Sequence, residues 1–443
     1  MPDQPELNNK EAIRRNVMSV ATEQIQKFPG FNLHTVKTDK FKTNNIVIKW
    51  KAPLEKENIT KRALLPYVLQ NSSQKYSTTT ALRSYLEELY GATFFVDLSK
   101  KGEHHIVSFS LEIANEKFLS DPTPLLKKGI EFLAEIIFHP HASNQTFDEK
   151  TVENEKRALK QRIQSVYDDK MRYSSFRLIQ EMCKEEAYSI SVNGEKEEVD
   201  EISAKDLYAY YEKALNEDQI DVYIVGDLDV EEVAGYAETL FPFKERQIKT
   251  IDRKTTHAVE KAKEIKEVQD IKQGKLNIGY RTNVVYGDGD YFALQVFNGI
   301  YGGFSHSKLF LNVREKESLA YYAASRVESH KGLLLVMSGI DQQNYEKAVS
   351  IINEQLDLMK KGEFTDEEIM QTKAVIHNQM LETLDTPRGM IEVFYHNAVS
   401  GVSVEMADWL QSISKVSKEE IQEVAGKIEL DTVYFLTGSE GNV

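Results

Sequence analysis

The stretch NVREKESLAYY, residues 312–322, places Arg314 seven residues ahead of Tyr321. A guanidinium forks onto a peptide carbonyl or a carboxylate through paired N–H donors. A phenol donates a hydrogen bond to an oxyanion forming at a carbonyl carbon. Together these groups have the makings of the binding and polarising half of a peptide-cleaving site. The plainer reading is a solvated helix arginine paired with Glu315 or Glu317, and an ordinary strand tyrosine. Other chemistries find no support: the chain has no Gly-x-Ser-x-Gly elbow, no phosphate loop and no dinucleotide fingerprint. Cys183, in IQEMCKEE on an expected helix, reads as a small core residue.

The elements that must position such a pair belong to a long, acidic chain. At 443 residues it exceeds the ~250–300 at which single cores stop growing, so two or more domains are expected. A net charge of −15 argues against a nucleic-acid backbone as the main partner. A single cysteine excludes an internal disulfide and suits a reducing compartment. The opening MPDQPELNNKEAIRRNV has no apolar run behind its charges, and no apolar stretch long enough to span a membrane follows. The expectation is a cytoplasmic protein without membrane or nucleic-acid partners.

Along the chain, HTVKTDKF and NNIVIKWKA alternate as strands, with Ile46, Ile48 and Trp50 on one face. Helical spacing starts near Lys61 and again in TTTALRSYLEELYGA, between a threonine cap and a Gly91 stop. TFFVDLSKKGEHHIVSFSLEIA reads as a hairpin turned at Lys-Lys-Gly, followed by helices over PLLKKGIEFLAEII and FDEKTVENEKRALKQRIQ. The second half repeats this order. FTDEEIMQTKAVIHNQMLETL resembles a stretch about 217 residues upstream, and SKEEIQEVAGKIELDTVYFLTG one about 214 upstream. The fold class is therefore α+β, two similar domains from an internal duplication, each a mostly antiparallel sheet packed with helices. Expected boundaries are 1–241 for the first domain, 242–270 for a charged linker with a first edge strand, and 271–443 for the second.

The helix–helix–hairpin order, the duplication and YGGFSHSKLFLNVREKESLAYYAAS together resemble the pitrilysin/insulinase family of zinc metallopeptidases, in its bacterial branch related to mitochondrial processing peptidase. The resemblance runs from about residue 20 to 438 and implies a clam-shell chamber between the two domains. It also implies that Arg314 and Tyr321 match the family's Arg–Tyr pair, which reaches across that chamber to the substrate.

The family's zinc motif, an inverted His-x-x-Glu-His on a helix, falls on Ala63-Leu64-Leu65-Pro66-Tyr67 when the following VLQNSSQKYSTTTALRSYLEELYGATF is used as the anchor. Ala63 and Tyr67 stand where the histidines would be, and Pro66 where the general base would be. A further glutamate is expected seven residues after Glu155, where the chain has Arg162. Alanine offers no ligand atom, proline no proton acceptor, a neutral phenol is a poor zinc ligand, and a cation repels Zn²⁺. Elsewhere His104 and His105 point to opposite faces of one strand, His139 and His141 flank a loop proline, and His306 reads as a helix-start polar residue that could line the chamber. No metal or other cofactor is therefore expected in this chain. The resemblance implies a non-catalytic subunit of a heterodimeric peptidase, with zinc in a homologous partner. Arg314 and Tyr321 would act in trans on a peptide held extended along an edge strand. Self-association into a homodimer is compatible with this, and the alternative is a structural or peptide-binding scaffold with no part in proteolysis.

Overall fold

The computed structural model describes residues 22–121, 123–249, 251 and 256–439. The polar opening segment, and residues 250 and 252–255 of the 242–270 linker, lie outside the described residues.

The alternating runs form strands, and those with helical spacing form helices. The first half contains β1 (Glu23–Phe28), β2 (Phe31–Lys37), β3 (Thr43–Pro53), α1 (Ile59–Asn71), α2 (Thr79–Glu88), β4 (Thr93–Lys101), β5 (His104–Ala114) and α3 (Leu125–Phe138). A short ladder of β6 (Ala142–Ser143) with β7 (Thr146–Phe147) leads into α4 (Glu149–Asp168), α5 (Lys170–Met182), α6 (Ala204–Glu217), β8 (Gln219–Gly226) and α7 (Val230–Leu240). The second half contains β9 (Lys263–Val268), β10 (Gly274–Arg281), α8 (Tyr291–Asn298), β11 (Ala320–Glu328), β12 (Leu333–Ile340), α9 (Tyr345–Lys360), α10 (Asp366–Leu384), α11 (Pro387–Ser400), α12 (Met406–Lys415), α13 (Lys418–Gly426) and β13 (Glu429–Thr437). The sequence gives no sign of α7, α11 and α12, and of α5 only the end around Ile179–Met182, ahead of Cys183.

The two sheets share one topology. The first has strand order β1-β2-β8-β3-β5-β4 and the second β11-β12-β10-β13-β9. Read from β4 and from β11, five strands correspond in order, β1 of the first sheet has no counterpart in the second, and each sheet contains one parallel pair, β2 with β8 and β9 with β13. Both hairpins turn at a glycine with positive φ, Gly102 at 54° and Gly332 at 72°, a conformation that costs glycine no Cβ clash.

The chain divides into two compact units, and each draws a segment from the other half of the sequence. One consists of the described residues of Met1–Ser165, Ile190–Ile251 and Leu384–Ala398, the other of those of Val166–Ser189, Asp252–Thr383 and Val399–Val443. In the first unit Ile46, Ile48 and Trp50 are buried against α1 and α3, as their alternation predicts. The opposite face of β3, which alternation alone would leave to solvent, is buried too, under α11. Lys49 is only 3% exposed, and its Nζ lies 2.5 Å from Glu392 Oε1. The same carboxylate takes Lys101 at 3.1 Å, and Lys51 Nζ donates to the Ala398 carbonyl. Burial raises the Glu392 pKa, but Lys49 and Lys101 outweigh it and hold the carboxyl at about 2. On the same face His34 lies between Glu23 (2.8 Å) and Asp221 (3.3 Å). Burial lowers its pKa, yet the hydrogen bonds and charges of Asp221 and Glu23 prevail and raise it to about 9.

The second unit closes its sheet in the same manner with α5. Gly279 makes room, since a Cβ there would lie 2.5 Å from Met182 Sδ. Glu267 accepts from Tyr173 (2.6 Å) and Tyr434 (2.7 Å). Glu186, which follows α5, holds Arg281 and Lys331, both at 2.6 Å.

Two outcomes follow from the polar face under α11. Glu392→Gln strands the Lys49 ammonium and should destabilise the first unit by about 2–3 kcal/mol in denaturant titrations, less than for a fully buried pair because Glu392 is 40% exposed. The stabilisation from His34 is complete below the unfolded pKa near 6.5 and is lost as pH rises through about 9. Stability should therefore fall between pH 7 and 9.5 by an amount on the order of 2–3 kcal/mol. His34→Gln should flatten that slope, and an unchanged slope would exclude His34 as its source.

Candidate functional site

The sequence singles out two sets of residues, one in each unit. The positions matching the zinc motif lie on α1 and α4 of the first unit. Nine of the thirteen residues of α1 are buried, including Ala63 and Pro66, which face protein. Arg62, beside them, is a node that sequence reasoning missed. Its guanidinium donates to Asp218 Oδ2 (2.5 Å), to the Trp50 carbonyl (2.9 Å) and to His105 Nδ1 (3.0 Å). His105 is fully buried and its Nε2–H donates to the Val192 carbonyl at 2.9 Å. Burial and the Arg62 charge push its pKa down to about 3, so the ring is neutral. The only signal for this node was a lone arginine in the apolar run of α1.

Tyr67 and Arg162 stack on one another. The Arg162 guanidinium carbon sits 3.6 Å from the centroid of the Tyr67 ring, a cation–π contact joining α1 to α4. Arg162 Nη1 approaches Glu155 at 3.8 Å. Asn71 Nδ2 donates to Glu155 Oε1 (2.9 Å), which ties the same two helices again. Burial raises the Tyr67 pKa despite the nearby guanidinium, so the phenol keeps its proton at neutral pH. These residues do not fit a zinc ion: two positions carry no donor, and the other two are a neutral phenol and a cation pressed together. Among the described residues no group of three or more His, Cys, Asp or Glu side chains is placed to hold a metal.

Arg314 and Tyr321 lie in the second unit, on a turn and the strand that follows it. Residues Phe310–Lys316 wind as a π-helix rather than the expected α-helix, with Val313 buried as its anchor. The Leu319 N–H returns to the Val313 carbonyl at 3.0 Å, so the chain doubles back and brings the start of β11 against the helix end. Ser318, at φ 50°, makes the reversal. In β11 the partners are Ala320 with Ile340 and Tyr322 with Gly339, which leaves Tyr321 as the extra residue of a bulge. Bulges re-aim side chains, and Tyr321 is 66% exposed. Arg314 is 43% exposed, its guanidinium lies over the Phe310 ring at 4.7 Å, and its Nε is 3.5 Å from Glu315. The plain pairing with Glu315 is thus present but loose, and Glu317 is taken by Lys347 at 2.7 Å. Of the remaining histidines, His306 Nε2 lies 2.9 Å from Thr372 Oγ1. Ser72 Oγ lies 3.5 Å from His141 Nδ1.

Known proteins resemble this chain over up to 96% of its length. A family described as "Peptidase M16 inactive domain" matches residues 201–376. "Probable inactive metalloprotease YmfF" of Bacillus subtilis (strain 168) is 54% identical over 426 residues, 96% of this chain and 100% of that protein. "Uncharacterized zinc protease YmfH" of the same strain is 30% identical over 142 residues, 31% of each chain. The crystal structure of a conserved protein from Enterococcus faecalis V583 superposes with a TM-score of 0.88 at 37% identity, covering 96% of this chain and 100% of that one.

The Tyr67–Arg162 stack joins the two helices with no metal. Arg162→Ala should lower stability by about 1 kcal/mol in denaturant titrations, and neither zinc nor a chelator should shift the melting temperature of the parent protein. A zinc-dependent rise in melting temperature would contradict this account of the site.

Proposed function

Because the chain belongs to the M16 (pitrilysin/insulinase) family of metallopeptidases, as a member lacking the zinc-binding motif, we propose that it serves as the non-catalytic subunit of a two-chain zinc peptidase. On this reading a homologous chain with an intact His-x-x-Glu-His supplies the metal, which activates the attacking water. This chain supplies Arg314 and Tyr321. Arg314 orients the peptide by donating paired hydrogen bonds to a backbone carbonyl or a carboxylate, and the Tyr321 hydroxyl donates to the oxyanion that develops at the scissile carbonyl. The observation that carries the reading is the bulge at Tyr321. It turns a large aromatic into solvent, 66% exposed, within a chain whose own metal positions are filled by alanine, proline and a Tyr–Arg stack. A scaffold would gain nothing from exposing that ring. A reducing, cytoplasmic setting suits the single buried thiol, Cys183.

The test is to assay peptide hydrolysis by this chain alone, by a zinc-bearing homologue alone, and by the two mixed. The chain alone should be inactive and the mixture active. Tyr321→Phe and Arg314→Ala should each lower kcat/KM of the mixture by about 10²-fold, the usual cost of removing one oxyanion donor. Mixtures that cleave equally well with parent and mutants would favour the scaffold reading, and chelator-sensitive cleavage by this chain alone would refute the assignment.

A further inference from the structure

The second sheet ends one strand short of the first. In the first sheet β2 is covered by the antiparallel strand β1, from Glu23 opposite Val36 to Phe28 opposite Phe31. The counterpart of β2 in the second sheet is β9, which has β13 on one side and no described strand on the other. The described residues just ahead of it, 256–262, form no strand. The Gln269 N–H donates to the Thr437 carbonyl, on the β13 side, at 2.9 Å. Backbone groups alternate in direction along a strand, so the N–H and C=O of Glu264, Lys266 and Val268 point to the open side. Such a row is a template for a further strand.

The side chains decide which strand fits there. β9 reads Lys263-Glu264-Ile265-Lys266-Glu267-Val268. Its Glu264 and Lys266 are 57% and 47% exposed and lie 3.2 Å apart. Charges on an edge strand deter most partners, but these are complementary to themselves in one register. If β9 pairs with a second β9 about a two-fold axis, outward-pointing residues must meet outward-pointing residues, so the axis passes through a residue and not between two. The axial residue then faces itself, and an axis at any of the four charged residues sets like charges face to face, which is destabilising. An axis at Val268 pairs the strand with residues beyond its end. The axis at Ile265 remains. It sets Glu264 opposite Lys266 and Lys263 opposite Glu267, each twice, with Ile265 against Ile265. Glu264 and Lys266 then each have an opposite charge beside them in their own strand and another across the axis.

We propose that a second copy of this chain adds its β9 to this edge, antiparallel and about a two-fold axis at Ile265, so that two five-stranded sheets join into one. The second β9 takes the place that β1 holds in the first sheet, in the same antiparallel sense. The edge lies at the far end of the sheet from β11, which carries Tyr321, so the homodimer leaves the Arg314–Tyr321 pair uncovered and is independent of the reading given above.

Sedimentation velocity of the full chain tests this. A contact confined to two short strands is smaller than a standard interface, so the parent should dimerise with a dissociation constant on the order of 10 µM. Glu264→Lys and Lys266→Glu each set like charges across the axis and should weaken the dimer at least about tenfold. Mixed with one another, these two variants should pair about as tightly as the parent does with itself. Both positions are exposed, so neither change disturbs the core. Ile265→Cys should give a disulfide-linked dimer on mild oxidation, because residues opposed in a pair without hydrogen bonds stand about 4.5 Å apart at Cα, within disulfide reach. Cys183 is buried and does not compete. Glu264→Cys, opposite Lys266 and not itself, should link far less. A parent that stays monomeric at about 100 µM overturns the proposal. So does a dimer indifferent to both charge reversals, a mixture of the two variants that does not pair, or an Ile265→Cys chain that links no better than Glu264→Cys.

Discussion

A guanidinium lying 3.6 Å from the centre of a phenol ring governs what the first unit can do. Arg162 and Tyr67 press together between α1 and α4, and their contact fills the space with a cation. A divalent ion brought there would meet a guanidinium whose nearest carboxylate, Glu155, stands 3.8 Å away, in a half-buried setting where repulsion is stronger than in bulk water. The phenol, which keeps its proton, is a poor replacement for the ion's hydration shell. The surrounding residues agree with this arrangement. Ala63 and Pro66 are packed as core, and Asn71 and Glu155 add a second tie between the same helices.

The structure around that contact is held by buried charges, each with its partner. Arg62 saturates itself on Asp218, His105 and the Trp50 carbonyl, so a fully buried cation sits in the core with its charge and its donors satisfied. Lys49 does the same on the opposite face of the sheet, through Glu392 of α11. In the second unit Glu186 collects Arg281 and Lys331. Removing Asp218 or Glu392 leaves a buried cation uncompensated, whereas Arg281 keeps Asp431 at 2.8 Å if Glu186 is lost. The helices that bring those partners, α11 and the α5 segment, come from the other half of the chain in both cases. The duplicated halves are thus interleaved at the level of their ion pairs.

Against this rigid background Arg314 and Tyr321 are turned outward. Nothing in the described packing needs the Tyr321 ring, while its neighbours Ala320 and Ala323 are buried and Val313 anchors the turn. A side chain that contributes little to stability and yet is aimed by a bulge is the kind of feature that binding uses.

The residues that read clearly from the sequence were those whose meaning is local. Alternation marked β3 and the hairpins, spacing marked the long helices, and the internal repeat foretold two sheets of one topology, because these patterns reflect which face of an element meets the core. Other features depended on partners far apart in the chain. Lys49 and Glu392 are 343 residues apart, Arg62 and Asp218 156, and neither pairing has any local pattern to announce it. The stacking of Arg162 on Tyr67 and the outward turn of Tyr321 were likewise decided only by packing and register. Sheet register and burial determine which distant side chains meet, and a charged residue can enter the core only where the fold brings it a counter-charge.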